Sequence, residues 1–270
     1  TNIMKNVTII LQGIISQHTL NFYIEHYPTA NVIISTWVNV KLNIQNIPST
    51  YNVILSKLPK DKGPQNMHYQ ILSTLNGLRF TKTDHVIKIR GDEYYSNIEY
   101  IVNEIGNNPK KIYCSPVFFR HWSHSKFHIS DHIIAGTTDN LKLMFEKTKF
   151  YFKNNMIYNI SENEIKLGIR HQEKREFEQP KTIDGGPEES LTRSYLMAKE
   201  GERWGKVDGR LLMVDNFEIL NVEELSPFRM ISNGNRVHWD NSFIPEKNKS
   251  ISNINQLLLS KEEVYGADIS

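Results

Sequence analysis

The sequence predicts an α/β domain built on a mostly parallel β-sheet, and three observations carry that expectation. β-Branched runs alternate with helix-period segments through the first half of the chain, the pattern of strands joined by crossover helices. The first of these runs, VTIILQGII at residues 7–15, is almost continuously apolar, as a strand covered on both faces must be. The chain has 270 residues, 39% of them apolar, which is enough for one large core or two small ones.

A helix follows from residue 16 or 17 to residue 27 and is stopped by Pro28. NVIISTW at 31–37 and NVILS at 52–56 read as the next two strands. Over 64–80, Met67, Ile71, Leu75 and Leu78 recur at steps of three and four, so the segment should be a helix with its apolar face on the sheet. The other face of that helix carries Asn66, Gln70 and Thr74. HVIKIR at 85–90 reads as a fourth strand running into the polar turn Gly91-Asp92-Glu93, and 97–105 fits a helix. Two more strands are read at 111–115 and 129–135, with an aromatic, histidine-rich connection over 117–128 between them. Thr137 or Thr138 caps a helix at 139–147. A charged stretch follows, with an amphipathic helix expected near 163–173. Gly185-Gly186-Pro187 then opens a helix from 188 to about 200, where a proline and two carboxylates suit a first turn. Residues 210–220 read as strand material, and the last fifty residues as largely irregular.

Composition narrows the function classes without selecting one. Lys and Arg total 32 against 30 Asp and Glu, a net charge of +2, which excludes a disordered chain and a basic nucleic-acid tail. The lone cysteine, Cys114, can form neither an internal disulfide nor a Cys-based zinc site, which points to a reducing compartment. The longest apolar run is interrupted by Thr8, Gln12 and Gly13 and falls far below the roughly 20 residues of a membrane span, so neither a transmembrane segment nor a signal peptide is expected. The chain begins at Thr1 without an initiator Met, and is therefore expected to be one domain of a longer polypeptide.

Ligands of open parallel sheets sit outside the carboxyl ends of the strands, so the turns there are the first place to look. Gln12-Gly13 follows the first strand, as a ligand approach or an ordinary turn. In IKIRGDEYYSN, residues 87–97, Lys88, Arg90, Asp92 and Glu93 put two cations and two carboxylates at one strand end. A nucleoside diphosphate would need cations there, or a divalent metal held by carboxylates; a solvated turn with an Asp helix cap is the competing reading. Glu188 and Glu189 at a helix start suit the dipole of that helix. The histidines at 121, 124, 128 and 132 would converge on zinc only from a helix, and their segment looks extended. Phe118, Phe119, Arg120, His121 and Trp122 read as a wall on which a ligand can stack or as a packed loop. No GxxxxGK[ST] phosphate loop and no GxSxG nucleophile turn is present.

One ordered set of residues is recognisable: Leu11-Gln12-Gly13; Asn66, Gln70, Ser73, Thr74 and Gly77-Leu78; residues 86–90 with Asp92; then residues 129–132, Ala135-Gly136 and residues 141–145. Over about residues 7–195 the chain resembles the WavE family, whose members are linked to lipopolysaccharide and capsule synthesis and look like GT-A-type glycosyltransferases. The resemblance implies a GT-A-like, Rossmann-like single domain over 1–225, with a donor half at about 1–115, an acceptor half at about 116–225, and a C-terminal extension, 226–270, packed on the same domain. It implies transfer of a sugar from a nucleotide-diphosphate donor to a glycan, polysaccharide or lipid-linked glycan acceptor, in the cytoplasm or at the membrane periphery. Gln12, Gly13, Asn66, Gln70, Thr74, Lys88, Arg90 and Asp92 would then meet the donor. A divalent metal, Mn or Mg, would be held by Asp92 with His238 folding back, although Tyr94 stands where the second Asp of an Asp-X-Asp motif would fall; alternatively, Lys88 and Arg90 neutralise the phosphates. The catalytic base would be Glu188 or Glu189, with Asp131 as rival. Two other readings are a non-catalytic nucleotide- or glycan-binding module and a sugar nucleotidyltransferase. The latter class opens with a Gly-rich, Lys-containing loop, which Gln12-Gly13-Ile14-Ile15 lacks.

Overall fold

The computed structural model describes residues 2–153, 186–221, 223–225, 228–232, 236–239 and 250–266. The helix expected near 163–173 lies outside them. β1 (Val7–Gln12) leads through α1 (Gln17–His26) to β2 (Asn31–Trp37) and β3 (Tyr51–Ser56). α2 (Met67–Phe80) returns the chain to β4 (His85–Arg90), which is followed by a short β5 (Glu93–Tyr95) and α3 (Ile98–Asn107). β6 (Ile112–Cys114), β7 (Ile133–Thr137) and α4 (Thr138–Lys153) come next. Then follow α5 (Gly186–Glu200), α6 (Gly209–Asn216), β8 (Phe217–Ile219), β9 (Phe228–Ser232), β10 (Arg236–Trp239) and a short α7 (Lys261–Tyr265).

The main sheet has seven strands in the order β3-β2-β1-β4-β7-β6-β8. Its pairs are parallel except where β7 meets β4 and β6, so the mostly parallel α/β reading holds with one reversed strand. β1 shows why its sequence is continuously apolar. Alternate residues of a strand face opposite sides, and here both sides are core. Ile10 packs with Ile33, Met67, Ile71 and Leu75, while Ile9 and Leu11 pack with Leu20, Ile34, Ile87 and Ile89. α2 lays its three-four apolar stripe on the first of these cores, as its spacing requires.

Four stretches differ from the sequence reading. Residues 210–220 are mostly the helix α6, because Asp208 caps it by accepting from the Arg210 N–H (2.9 Å) and Leu212 and Met213 bury one face; only 217–219 pair as strand. The polar turn at 91–93 ends early: Glu93 opens β5, which pairs antiparallel with β9. β9 and β10 form a hairpin within the C-terminal stretch expected to be irregular, and β9 is joined to β5 by long-range pairing that no local window shows. Ladder pairing along 129–135 starts only at Ile133 and runs to Thr137, although Ile129 and Ser130 are buried.

Gly91 ties the ends of β4 and β1 together through its N–H to the Gln12 carbonyl (2.8 Å). A Cβ there would collide with the Ile15 side chain and lie 2.7 Å from the Ile14 carbonyl oxygen. Gly91→Ala is therefore expected to lower the unfolding free energy by ~1–3 kcal/mol, as overpacking does. Urea denaturation at constant pH measures this, and an unchanged midpoint would contradict the packing described.

Candidate active site

β1 and β4 are paired in register so that Gln12 stands beside Arg90 at their carboxyl ends. From β1 the sheet extends one way through β2 and the other way through β4, and this divergence opens a cavity of about 490 Å³. Gln12, Gly13, Asn66, Gln70, Arg90 and Asp92 all line it, as do Asp131 and Glu188. Trp37 and Asn39, just past β2, together with Gln65 and Tyr69 complete much of the wall.

The polar wall is held in place from behind. The Gln12 amide donates to Ser73 Oγ (2.8 Å), which donates to the Tyr69 carbonyl (2.7 Å), and the Ser35 hydroxyl donates to the Ser73 carbonyl (2.6 Å). Gln65 and Asn66 both have left-handed backbone (φ 47° and 64°), a conformation costly outside glycine and concentrated at functional sites. Gly186, with φ +65°, admits this turn against α5, since a Cβ there would lie 2.5 Å from Gln65 Oε1.

A network of buried charges underlies the cavity. Lys88 is fully buried, and its ammonium donates to the Asp131 backbone carbonyl (2.5 Å). Burial draws the Lys88 pKa down, while the Asp131 charge opposes that. Arg90 grips Asp92 with two hydrogen bonds (3.0 and 2.8 Å) and stands 3.5 Å from Glu93. Burial disfavours the Arg90 charge, but Glu93, Asp131 and Asp92 together outweigh it and hold the guanidinium above its ordinary value. Glu93 has no exposed surface; one oxygen lies 2.5 Å from His132 Nδ1 and the other accepts from the Tyr95 hydroxyl (2.5 Å).

Asp131 and Glu188 are pushed apart by these surroundings. Burial alone would raise Asp131, but Lys88, then His132 and Arg90, hold it down at about 2. Its carboxylate accepts from the Gln70 amide (2.9 Å). Glu188 is raised to about 8, first by burial and then by the negative charge of Asp131. Its Oε2 lies 3.9 Å from His128 Nε2, and burial and then Arg120 press the His128 pKa down to about 4.

Other expected site residues are placed elsewhere. Thr74 is fully buried in α2 with its hydroxyl unbonded among the described residues. Lys88 lies beneath Asp131, outside the cavity lining. Glu189 pairs with Arg193 (2.6 Å) and is likewise absent from the lining. The His238 side chain lies outside the described residues. The four histidines do not converge: His121 bonds Ser123 (2.8 Å) and the Leu259 carbonyl (3.1 Å), while His132 is taken by Glu93. The sequence reading omits Trp37 and Asn39, although the rule that singles out the ends of β1 and β4 applies equally to the end of β2, and it omits Tyr69, which precedes Gln70 on α2.

Among the described residues, the carboxylates nearest the expected metal position are engaged by the protein itself. Asp92 gives both oxygens to Arg90, and Glu93 gives both of its own to His132 and Tyr95. Among the described residues no three His, Cys, Asp or Glu side chains come together as a metal site.

The raised pKa of Glu188 carries a stability signature. Between its ordinary value near 4.5 and about 8, the folded protein holds a proton that the unfolded chain has released. Stability from this group is therefore fully present below about 4.5 and is lost as pH rises through about 8. Glu188→Gln removes the loss, so the variant should gain on the wild type between pH 5 and 8 by ~1 kcal/mol or more. Denaturation midpoints at the two pH values test this, and a gap independent of pH contradicts it.

Comparison with known proteins adds one match. A family model described as WavE lipopolysaccharide synthesis matches residues 9–233. No curated protein matches the chain.

Proposed function

The chain belongs to the WavE lipopolysaccharide synthesis family, and from that premise we propose that it is a nucleotide-sugar-dependent glycosyltransferase with a GT-A-like catalytic domain. One observation carries the reading: Glu188, a carboxylate with raised proton affinity, lines two cavities at once. The first is the cavity at the strand ends, and the second, of about 500 Å³, shares Gln65 and Glu188 with it. That is the arrangement a transferase needs, with an activated donor on one side of the base and an acceptor on the other. The single reversed strand in an otherwise parallel sheet and the ligand-sized crevice at β1 and β4 agree with it.

In this reading the nucleotide-diphosphate sugar lies in the first cavity with its diphosphate toward Arg90. Asp92 is neutralised by Arg90, Asp131 is balanced by Lys88 beneath it, and Glu188 holds a proton at neutral pH, so the cavity is close to neutral before a dianion enters. The acceptor hydroxyl oxygen attacks the anomeric carbon, the bond to the diphosphate breaks, and the diphosphate leaves with the electron pair. Glu188 as carboxylate takes the hydroxyl proton. A base is most effective when its pKa lies near the working pH, which favours Glu188 over Asp131, held at about 2. Asp131 instead receives sugar hydroxyls and, as a fixed negative charge, raises the proton affinity of Glu188. Gln12, Asn66 and Asn39 supply neutral hydrogen bonds to the nucleoside and sugar, and Trp37 and Tyr69, with ring centroids 5.4 Å apart, supply flat surface. Among the described residues no helix is long and apolar enough to cross a membrane. The reading places catalysis in the cytoplasm, on a glycan or lipid-linked glycan acceptor.

The test is release of free nucleotide from a panel of UDP- and GDP-sugars, with and without manganese. At least one donor should be turned over, with kcat/KM rising with pH toward a plateau above about 8. Glu188→Gln should lower kcat by ~10²- to 10⁴-fold while donor affinity stays within a few-fold. Donor binding without turnover would leave a binding module instead, and a panel in which nothing binds or reacts would overturn the transferase.

A further inference from the structure

Gln65 lines both cavities, as Glu188 does. Its backbone is left-handed, with φ 47° and ψ 37°, a conformation that costs any residue with an ordinary Cβ, and it kinks the short helical turn leading into α2. Asn66 shares the conformation, but asparagine enters it far more readily than the longer glutamine. The turn is tied on both sides of Gln65. Asp61 accepts from the Gly63 N–H (2.8 Å), the Asn66 N–H donates to the Gly63 carbonyl (3.3 Å), and the His68 N–H donates to the Lys62 carbonyl (3.0 Å). A strained residue held this firmly in a ligand-sized cleft points to use of its side chain. That side chain reaches Glu188. A Cβ on Gly186 would stand 2.5 Å from Gln65 Oε1 and 2.9 Å from Glu188 Oε2, so the two side-chain ends flank one point where only a glycine fits. Gln65 is exposed, and its amide makes no hydrogen bond among the described residues, whereas the Gln12 and Gln70 amides are committed to Ser73 and Asp131.

We propose that Gln65 holds the attacking oxygen against Glu188 at the junction of the two cavities. The role presupposes the transferase reading. A primary amide offers N–H donors and a carbonyl acceptor at one spot. It can therefore bond the oxygen of an acceptor hydroxyl, or one hydrogen of a water, while the remaining O–H points at the carboxylate. The proton passes to Glu188, the new bond forms between that oxygen and the anomeric carbon, and the diphosphate leaves with the electron pair; Gln65 gains and loses nothing. Glycine at 65 would relieve the backbone but carry no amide, which gives the strain a use.

The experiment measures nucleotide release by the whole chain from the UDP- or GDP-sugar it turns over, with water as the attacking group. Gln65→Ala should lower kcat ~10- to 10²-fold, the scale of a misplaced attacking atom, while the donor Kd from calorimetry changes less than ~threefold. Gln65→Asn, one methylene shorter with the amide kept, should recover part of the loss. Gln65→Gly should lose as much as Gln65→Ala with no fall in the urea midpoint, since glycine suits the left-handed backbone; this separates the contact from a folding role. In the Glu188→Gln background, Gln65→Ala should cost less than ~twofold more, because the contact serves that base. A Gln65→Ala kcat within ~twofold of wild type, a loss confined to donor Kd, a Gln65→Gly loss accompanied by a lower midpoint, or a loss that adds in full to that of Glu188→Gln would overturn the proposal and leave the transferase standing. A wild type that releases nucleotide from no donor overturns the transferase, and the role of Gln65 with it.

Discussion

The site depends on a cation buried where cations are rarely found. Lys88 lies in the middle of a central strand with no exposed surface, and an ammonium so placed is tolerable only with charge and hydrogen bonds supplied around it. β4 resolves this by alternation: Ile87 and Ile89 face one core, while Lys88 and Arg90, two residues apart, share the other side. Lys88 draws in the Asp131 carbonyl, which sets the segment entering β7 and brings the Asp131 carboxylate to the cavity beside Gln70. The negative charge of Asp131, together with burial, then raises the proton affinity of Glu188 on α5. A cation on one strand thus reaches, through the single carboxylate of Asp131, the raised proton affinity of Glu188.

A second chain of pairs runs in parallel. Arg90 holds Asp92 at the rim and approaches Glu93 below it, and Glu93 fixes His132. Breaking either set by removing one member would leave a buried charge uncompensated, which costs more than the pair itself contributes. The reversed direction of β7 matters here. Because β7 runs against β4, its entry lies at the carboxyl end of β4, so Asp131 and His132 meet Lys88, Arg90 and Glu93 from across the sheet.

Much of this geometry is legible in the sequence, and the remainder fails for identifiable reasons. The carboxyl-end rule singles out Gln12, Gly13, Arg90 and Asp92 because it needs only strand positions. Helical spacing puts Asn66, Gln70 and Thr74 on one face, but a face does not specify depth: Gln70 reaches the cavity while Thr74, one turn on, is sealed in the core. Lys88 reads as a phosphate partner because a lysine near a strand end is usually solvated, and nothing local indicates that β7 will cover it. The Glu93–His132 pair joins residues 39 apart and leaves no trace in any window. Residues 210–220 read as strand because short apolar runs are ambiguous, although Asp208 just ahead of them is a helix-start signal.

The central claim is that the strand-end cavity holds an activated sugar with its reacting carbon facing Glu188. A crystal structure of the protein soaked with an intact, non-hydrolysable UDP- or GDP-sugar analogue addresses this most directly. The account predicts the diphosphate beside Arg90, the sugar against Asp131, and the anomeric carbon open toward the Glu188 carboxylate at the junction of the two cavities. An analogue bound elsewhere, or seated with its sugar turned away from Glu188, would contradict it.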